Sequence, residues 1–170
     1  MPQSGNEMIA TLTFESVLPV DSEVAWRWIT SLDGISLETR PILQMSSPEG
    51  VQDLSSVEMH PGVPMFRSWI RLFGVVPVDY SDLTLIEMTS GVGFIEASNM
   101  GSMRLWRHER RIGPLDAGCR ITDTLTFQPR FAGWLVTRFV AFLFRHRHRM
   151  LRRHLRGRSG APDRRPDMRR

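Results

Sequence analysis

Lysine is absent from this 170-residue sequence, so all 22 of its basic side chains are arginines. Cysteine occurs once, as Cys119, which excludes an intrachain disulfide and fits a reducing compartment. The first residues, MPQSGNEMIATLTF, show no basic segment followed by an apolar run, and so they do not predict a secretory signal. These absences together predict a cytoplasmic protein.

Long apolar runs are also missing. The longest candidate, FAGWLVTRFVAFLF at residues 131–144, is interrupted by Arg138. As a helix it would extend about 20 Å, whereas the hydrocarbon core of a bilayer is roughly 30 Å thick. We therefore expect this segment to begin a long helix, at about residues 131–155, rather than to span a membrane.

Charge is distributed unevenly along the chain. Residues 1–144 carry 11 arginines against 16 acidic residues, a net charge of −5, and residues 145–170 carry 11 arginines against 2 aspartates, a net charge of +9. The basic end can be a solvated segment without a partner, or it can bind an anionic membrane surface, a nucleic acid or an acidic protein. It lacks interleaved aromatic residues that could stack on bases, which counts against specific RNA recognition.

One domain accounts for the length, and 41% hydrophobic residues is an ordinary content for a globular protein. We expect residues 1–156 to form this domain. The end, residues 157–170, is rich in Gly, Pro and Arg and predicts a disordered tail.

The order of local signals predicts an α+β fold. A strand in MIATLTFESVLPV precedes a helix in PVDSEVAWRWITSLDG, for which Asp21 is the predicted N-cap and Gly34 the predicted stop. Strand and turn signals then fill residues 41–128, with connections too short for crossover helices, so the six or seven strands should be antiparallel. A curved sheet of this kind must cover one face, and the only large cover is the helix at about 131–155. Where the sheet wraps around the helix without closing on it, a cavity remains.

The segments VAWRWITSLDG, LWRHERRI and GCRITDTLTFQP, followed by a Phe- and Arg-rich last helix, resemble the SRPBCC superfamily over about residues 8–155. This superfamily comprises START-type helix-grip domains, among them plant pollen allergens, polyketide cyclases and aromatases, and lipid carriers. The sequence is most similar to bacterial stand-alone members with a W-x-H strand followed by a strand bearing T-D. The resemblance implies a cavity between sheet and helix that takes apolar or aromatic ligands. It implies no reaction, because only some members are enzymes.

His108 raises the question of what an imidazole does on the apolar face of a strand. In SMRLWRHERRI it alternates with Trp106 and Ile112 toward the predicted interior. If Ile112 lies opposite Cys119 across the following loop, His108 lies directly opposite Asp123. Cross-strand neighbours on one face are close enough to form a hydrogen bond.

Three roles for His108 and Asp123 remain open from the sequence. The two side chains can satisfy each other inside a packed sheet. They can also line the cavity and hold the polar end of an apolar ligand. As a third alternative, the pair can act in acid–base catalysis in a cyclase- or aromatase-like enzyme, although no nucleophile or second acid is identifiable nearby.

Other residues are candidates for the same site. Arg110 can bind a ligand carboxylate or reach solvent from the strand end, and Glu96 can lie in the cavity or on the outer face. Ordinary core positions or cavity walls are predicted for six further residues: Trp69, Phe94, Trp106, Phe127, Leu135 and Phe139.

No cofactor or metal is predicted. His146, His148 and His154 lie among arginines, whose charge opposes a bound cation, and no glycine-rich phosphate loop joins a strand to a helix. The sequence thus predicts a protein that binds a hydrophobic or aromatic small molecule, lipid-like or polyketide-like, with a non-catalytic role favoured over an enzymatic one.

Overall fold

The computed structural model describes residues 9–156, and the predicted tail at 157–170 lies outside the described residues. The helices are α1 (Ser22–Thr30), α2 (Leu32–Thr39) and α3 (Gly133–Arg156), and a 3₁₀ turn occupies Leu54–Ser56. The strands are β1 (Ala10–Leu18), β2 (Leu43–Met45), β3 (Pro64–Leu72), β4 (Val76–Thr89), β5 (Gly93–Glu96), β6 (Asn99–Met100), β7 (Met103–Leu115) and β8 (Gly118–Pro129).

The described strands form one curved antiparallel sheet. Seven of them follow one another in the order β1-β8-β7-β5-β4-β3-β2, and the two-residue strand β6 pairs with β4 beside this series. Every strand pair among these residues is antiparallel. The predicted α+β helix-grip architecture, with short helices after the first strand and a long last helix, is confirmed.

Helix α3 lies against the concave face of the sheet. Its residues Val140 and Phe144 pack with Leu125 and Phe127 of β8, where apolar side chains alternate with threonines on the other face. Further along the helix, Leu151 and Leu155 join the core that α1 and the sheet share. No helix within residues 9–156 combines the length and the apolar composition that crossing a membrane requires.

Helices α1 and α2 meet end to end and turn the chain back over the sheet. Asp21 caps α1 as predicted, its Oδ1 accepting a hydrogen bond of 2.7 Å from the amide of Val24. The predicted stop at Gly34 is wrong, because α1 ends at Thr30 and Gly34 lies within α2. A Cβ atom at Gly34 would lie 2.2 Å from the carbonyl oxygen of Trp28. The glycine is therefore needed for the close approach of the two helices.

The predicted register between β7 and β8 is wrong by two residues. His108 lies opposite Leu125, and Asp123 lies opposite Arg110. The strands continue to a pair formed by Leu115 and Gly118, so the turn contains two residues, far fewer than the predicted loop. Because side chains alternate with period two, a shift of two leaves the predicted inward-facing set unchanged.

Candidate functional site

A cavity of about 490 Å³ lies between the sheet, α1, α2 and α3. Its walls come from the end of α1, from α2, from the segment 45–54, from strands β3, β4, β5 and β7, and from α3. The volume falls within the range of small-molecule sites. The buried or half-buried apolar side chains in its lining are Ile29, Leu32, Ile35, Val51, Leu54, Phe66, Leu83, Leu85 and Phe94.

The cavity has a polar mouth. The exposed polar residues of the lining are Asp33 of α2, Arg40 just after this helix, and Ser46, Ser47 and Gln52 of the following segment. A ligand entering between α2 and this segment would leave water at a polar rim and reach apolar walls. This arrangement suits a compound that is mostly apolar.

At its inner end the cavity is lined by Glu96, His108 and Arg147. Ser98 donates a hydrogen bond of 2.6 Å to Oε1 of Glu96, and Nδ1 of His108 lies 3.6 Å from Oε2. Burial alone would raise the pKa of Glu96, but His108, Ser98 and Arg147 hold that pKa below its usual value. Glu96 is thus a carboxylate at the charged inner end of the cavity.

Behind His108, the guanidinium of Arg110 is fully buried against the carboxylate of Asp123. Nε of Arg110 donates to Oδ1 at 2.6 Å, and Nη2 donates to Oδ2 at 2.7 Å. Burial opposes the charge on each group, yet Arg110 and His108 hold the pKa of Asp123 well below its usual value. The pKa of Arg110 is raised, because Asp123 and Glu38 outweigh the effect of burial.

Glu38 joins this ion pair to the cavity. Its carboxylate accepts hydrogen bonds from Nη1 and Nη2 of Arg110 at 3.1–3.3 Å, from Nε and Nη2 of Arg147 at 3.1–3.2 Å, and from the indole of Trp28 at 3.0 Å. Burial and the neighbouring Arg110 lower the pKa of Arg147, and Glu38 and Asp123 oppose that shift. Glu38 lies near the end of α2, so this helix is fixed to β7 and α3 through one side chain.

A second imidazole completes the arrangement. Nε2 of His148 lies 2.9 Å from Oδ2 of Asp123, and its Nδ1 lies 2.7 Å from the hydroxyl of Ser16. Arg152 also donates to Ser16, at 2.8 Å. We refer below to the buried charge cluster, which consists of Glu38, His108, Arg110, Asp123, Arg147 and His148.

The structure brings some of the predicted site residues together. His108 and Asp123 are 2.9 Å apart between Nε2 and Oδ1, a diagonal contact rather than a directly opposed pair. His108, Glu96 and Phe94 line the cavity.

Other predicted residues lie away from the cavity lining. Asp123, Arg110 and Phe127 are fully buried behind it, and Trp106 packs on Phe127. For Arg110 the structure supports neither sequence alternative, since the side chain reaches neither solvent nor the cavity. Three predicted wall residues lie on the surface: Trp69 is 51% exposed, Leu135 53% and Phe139 36%.

Sequence reasoning missed Glu38, Arg147 and His148. The signal for Glu38 was indirect. Arg110 was predicted on the inward face of β7, and a buried arginine needs more hydrogen-bond acceptors than Asp123 can supply while it also bonds His108. A second buried carboxylate was therefore to be expected. Arg147 and His148 stand in a continuous arginine and histidine run, and helical spacing places them on the same side as Phe144 and Leu151. The spacing could have predicted that both side chains face the interior, but a run of charged residues is ordinarily read as exposed to solvent.

A family model matches residues 16–155, which cover most of the chain and every residue of the buried charge cluster; its description is Domain of unknown function (DUF8410). The chain belongs to this DUF8410 family. No curated protein matches the DUF8410 chain.

Solved structures show the same fold as this DUF8410 domain. Protein CV1439 from Chromobacterium violaceum has a TM-score of 0.67 at 12% identity, over 86% of this chain and 96% of that one. The Zhui aromatase/cyclase from Streptomyces sp. R1128 has a TM-score of 0.63 at 10% identity, over 91% and 98%. A START superfamily protein from Mycobacterium smegmatis has a TM-score of 0.59 at 8% identity, over 88% and 97%. The domain therefore has the SRPBCC helix-grip fold, and at these identities the likeness extends to the fold alone.

Proposed function

We propose that this protein binds a hydrophobic or aromatic small molecule, lipid-like or polyketide-like, in the cavity between sheet and α3. The observation that carries the proposal is the cavity itself, about 490 Å³, in which a band of apolar side chains lies between a polar mouth and a charged inner end. Burying about 200 Å² of apolar ligand surface contributes roughly 5 kcal/mol at about 25 cal/mol per Å². Part of this free energy is offset by the lost motional freedom of the ligand.

The polar end of the cavity favours a ligand with one hydrogen-bonding group. Nε and Nη2 of Arg147 donate to Glu38, and no described residue accepts a hydrogen bond from its Nη1. On the other side, Oε2 of Glu96 has His108 at 3.6 Å, beyond hydrogen-bond distance. One donor and one acceptor thus belong to residues that line the same cavity. A hydroxyl group on an aromatic ring can use both, because it accepts and donates.

Catalysis with His108 as acid or base fits this geometry less well. Its Nε2 is hydrogen-bonded to Asp123 at 2.9 Å, and its Nδ1 faces Glu96 at 3.6 Å. Nε2 is therefore occupied, and a ligand group that reached Nδ1 would have to fit beside the carboxylate of Glu96. An aromatase/cyclase shares the fold, but the non-catalytic role is the one that the contacts favour. The third sequence prediction, a partner for the arginine-rich end at residues 145–170, stays a prediction, because residues 157–170 lie outside the described part.

The first experiment is native mass spectrometry of protein purified from its own host, which would show a co-purifying apolar compound as added mass. The second is a titration with naphthol, followed by fluorescence, using variants at the cavity mouth. Ser36 lines the cavity on α2, whereas the adjacent Leu37 points outward and is 39% exposed. Ser36→Trp should close the cavity and abolish saturable naphthol binding, and Leu37→Trp should leave it unchanged. Equal binding by both variants would contradict the proposal.

A further inference from the structure

Five large apolar side chains are exposed where α3 begins. Trp134 is 72% exposed and Phe131, just before the helix, is 63% exposed. The set consists of Phe131, Trp134, Leu135, Phe139 and Phe142. Singly exposed apolar residues are ordinary, but a contiguous aromatic group marks an interaction site.

The exposed side chains share one face of the helix. Trp134, Leu135, Phe139 and Phe142 follow one another at spacings of one, four and three residues, which keeps them on one side. The same spacing continues through exposed arginines, namely Arg138, Arg145, Arg149 and Arg153. We call this surface the outer α3 face: its first half is aromatic and apolar, and its second half is basic. The opposite side of α3 packs on the sheet through Val140, Phe144 and Leu151.

Charge restricts what can cover the outer α3 face. The 24-residue helix contains no aspartate or glutamate. A partner must therefore supply both an apolar layer for the aromatic residues and negative charge for the arginines. Interfacial helices with Trp, Phe and Leu beside Arg have this composition where they lie at the boundary between headgroups and acyl chains.

We propose that the outer α3 face binds the surface of an anionic lipid bilayer. The helix would lie along the surface, with Trp134 and its apolar neighbours in the interfacial layer and the arginines among the headgroups. From Trp134 to Arg153 the helix rises about 28 Å at 1.5 Å per residue, so both halves can reach one membrane surface. This site is separate from the cavity and does not depend on the proposed ligand.

A second copy of the chain fits the outer α3 face less well. If two such faces paired, arginines from both copies would approach each other, and α3 offers no carboxylate to neutralise them. Nucleic acid would neutralise the arginines but would leave the aromatic half of the face in water unless unpaired bases stacked on it. A bilayer satisfies both halves with one surface.

The experiment is co-sedimentation of the full chain with vesicles of phosphatidylcholine alone and of phosphatidylcholine with phosphatidylglycerol. We expect binding to the anionic vesicles that weakens as sodium chloride rises from about 0.05 M to about 0.5 M, because salt screens the arginines. Arg145→Gln with Arg149→Gln should weaken binding roughly fivefold per arginine. Trp134→Glu with Phe142→Glu should weaken it by roughly tenfold or more, since apolar contact with the interface is lost.

Val17→Glu is the matched control. Val17 is 55% exposed on β1, and the alternation of that strand places it on the side of the sheet away from α3. This variant adds one negative charge, as Trp134→Glu alone does, whereas the glutamate pair adds two, and it should bind vesicles like the original chain. Melting temperatures test whether each variant folds. If Trp134→Glu with Phe142→Glu does not fold, Trp134→Ser with Leu135→Ser takes its place.

Several outcomes would overturn the proposal. The aromatic variants leave the residues beyond Arg156 intact, so undiminished binding by Trp134→Glu with Phe142→Glu would assign vesicle binding to that end instead. Equal binding to neutral and anionic vesicles would refute the role of the arginines. Absence of vesicle binding would also overturn the proposal. In that case, a dimer that Trp134→Glu dissociates would identify a second copy as the occupant, and RNA binding that Trp134→Glu abolishes would identify a nucleic acid.

Discussion

Arg110 and Asp123 lie directly opposite each other on β7 and β8 and form a two-point ion pair that solvent does not reach, with contacts of 2.6 and 2.7 Å. Removing two charges from water is unfavourable, and such a pair persists only when further hydrogen bonds satisfy both groups. Here Glu38 supplies them for Arg110, and His108 and His148 supply them for Asp123. The stability of the cluster therefore depends on all of its members together.

Replacing Arg110 by methionine should be strongly destabilising. Arg110→Met leaves the carboxylates of Glu38 and Asp123 buried without their principal partner, and we expect the free energy of unfolding to fall by about 3–5 kcal/mol. Urea unfolding followed by circular dichroism measures this loss. The control is Arg111→Met one residue further along, where the ion pairs with Glu87 and Glu109 are partly exposed. That variant should lose less than about 1 kcal/mol. Equal losses in the two variants would contradict the role assigned to the cluster.

Stability should fall in acid because of Asp123. The pKa of Asp123 in the folded protein is well below its ordinary value of 3.8, because Arg110 and His108 outweigh the effect of burial. Below pH 3.8 the unfolded chain binds a proton that the folded protein does not, so stability is fully present above that pH and is lost as the pH falls toward the folded pKa. Urea unfolding between about pH 5 and pH 2 should show this loss, and Asp123→Asn should reduce its slope. Asp116→Asn, at an exposed turn position, should leave the slope as it is, and a slope unaltered by Asp123→Asn would rule out this source of acid sensitivity.

Arg147 should decide which ligands the cavity retains. If its Nη1 donates to a ligand oxygen, Arg147→Met should weaken naphthol binding roughly tenfold, since a hydrogen bond from a charged donor contributes about 1.5–3 kcal/mol. Binding of naphthalene, which has no oxygen, should change little. Isothermal titration calorimetry of both compounds separates the two effects. Arg149→Met, at an exposed position of the same helix, serves as control. A parallel loss for naphthalene and naphthol would mean that Arg147 acts through the shape of the cavity alone.

Gly34 should tolerate no side chain. The Cβ atom of Gly34→Ala would come within 2.2 Å of the carbonyl oxygen of Trp28, so α1 and α2 must move apart. We expect a loss of about 1–3 kcal/mol in unfolding free energy, measured by urea unfolding. Gly133→Ala is the control, because a Cβ there meets no atom within 4 Å. A harmless Gly34→Ala would show that the contact between the two helices is loose.

Local sequence signals were sufficient for the fold. Alternation along β7 and β8, the Asp21 cap and the helical spacing of α3 are determined by neighbouring residues, and each appears in the structure. The face of α3 that packs on the sheet was not predicted, because Leu135 and Phe139, the candidate cavity walls, are exposed. The register between β7 and β8 was not predicted correctly, because LDAG is compatible with turns of several lengths. The observed turn has two residues, and it shifts the pairing of the two strands by two residues from the predicted register. The residues predicted to face inward were still correct, since a register shift of two residues keeps every side chain on the same face of the sheet.

The candidate site was harder to predict, because its charged members come from distant segments. Glu38 is buried only because α2 folds over the sheet, and no period within SLETR distinguishes it from a solvent-facing glutamate. Trp69 shows the reverse error: it was a candidate cavity wall, but Ser68 and Ile70 on either side of it face the interior, so its side chain faces outward and packs beside Tyr80. Burial of a charge or exposure of an aromatic residue follows from tertiary packing, which spacing along one strand does not contain.

Mutual dependence among Glu38, Arg110 and Asp123 also bears on how this family can diverge. A change at one of these three positions leaves an opposite charge unpaired in the interior, whereas exchanging all of them for apolar residues of similar volume would be tolerated. Stepwise drift is therefore blocked, and related chains should carry the trio intact or lack it altogether.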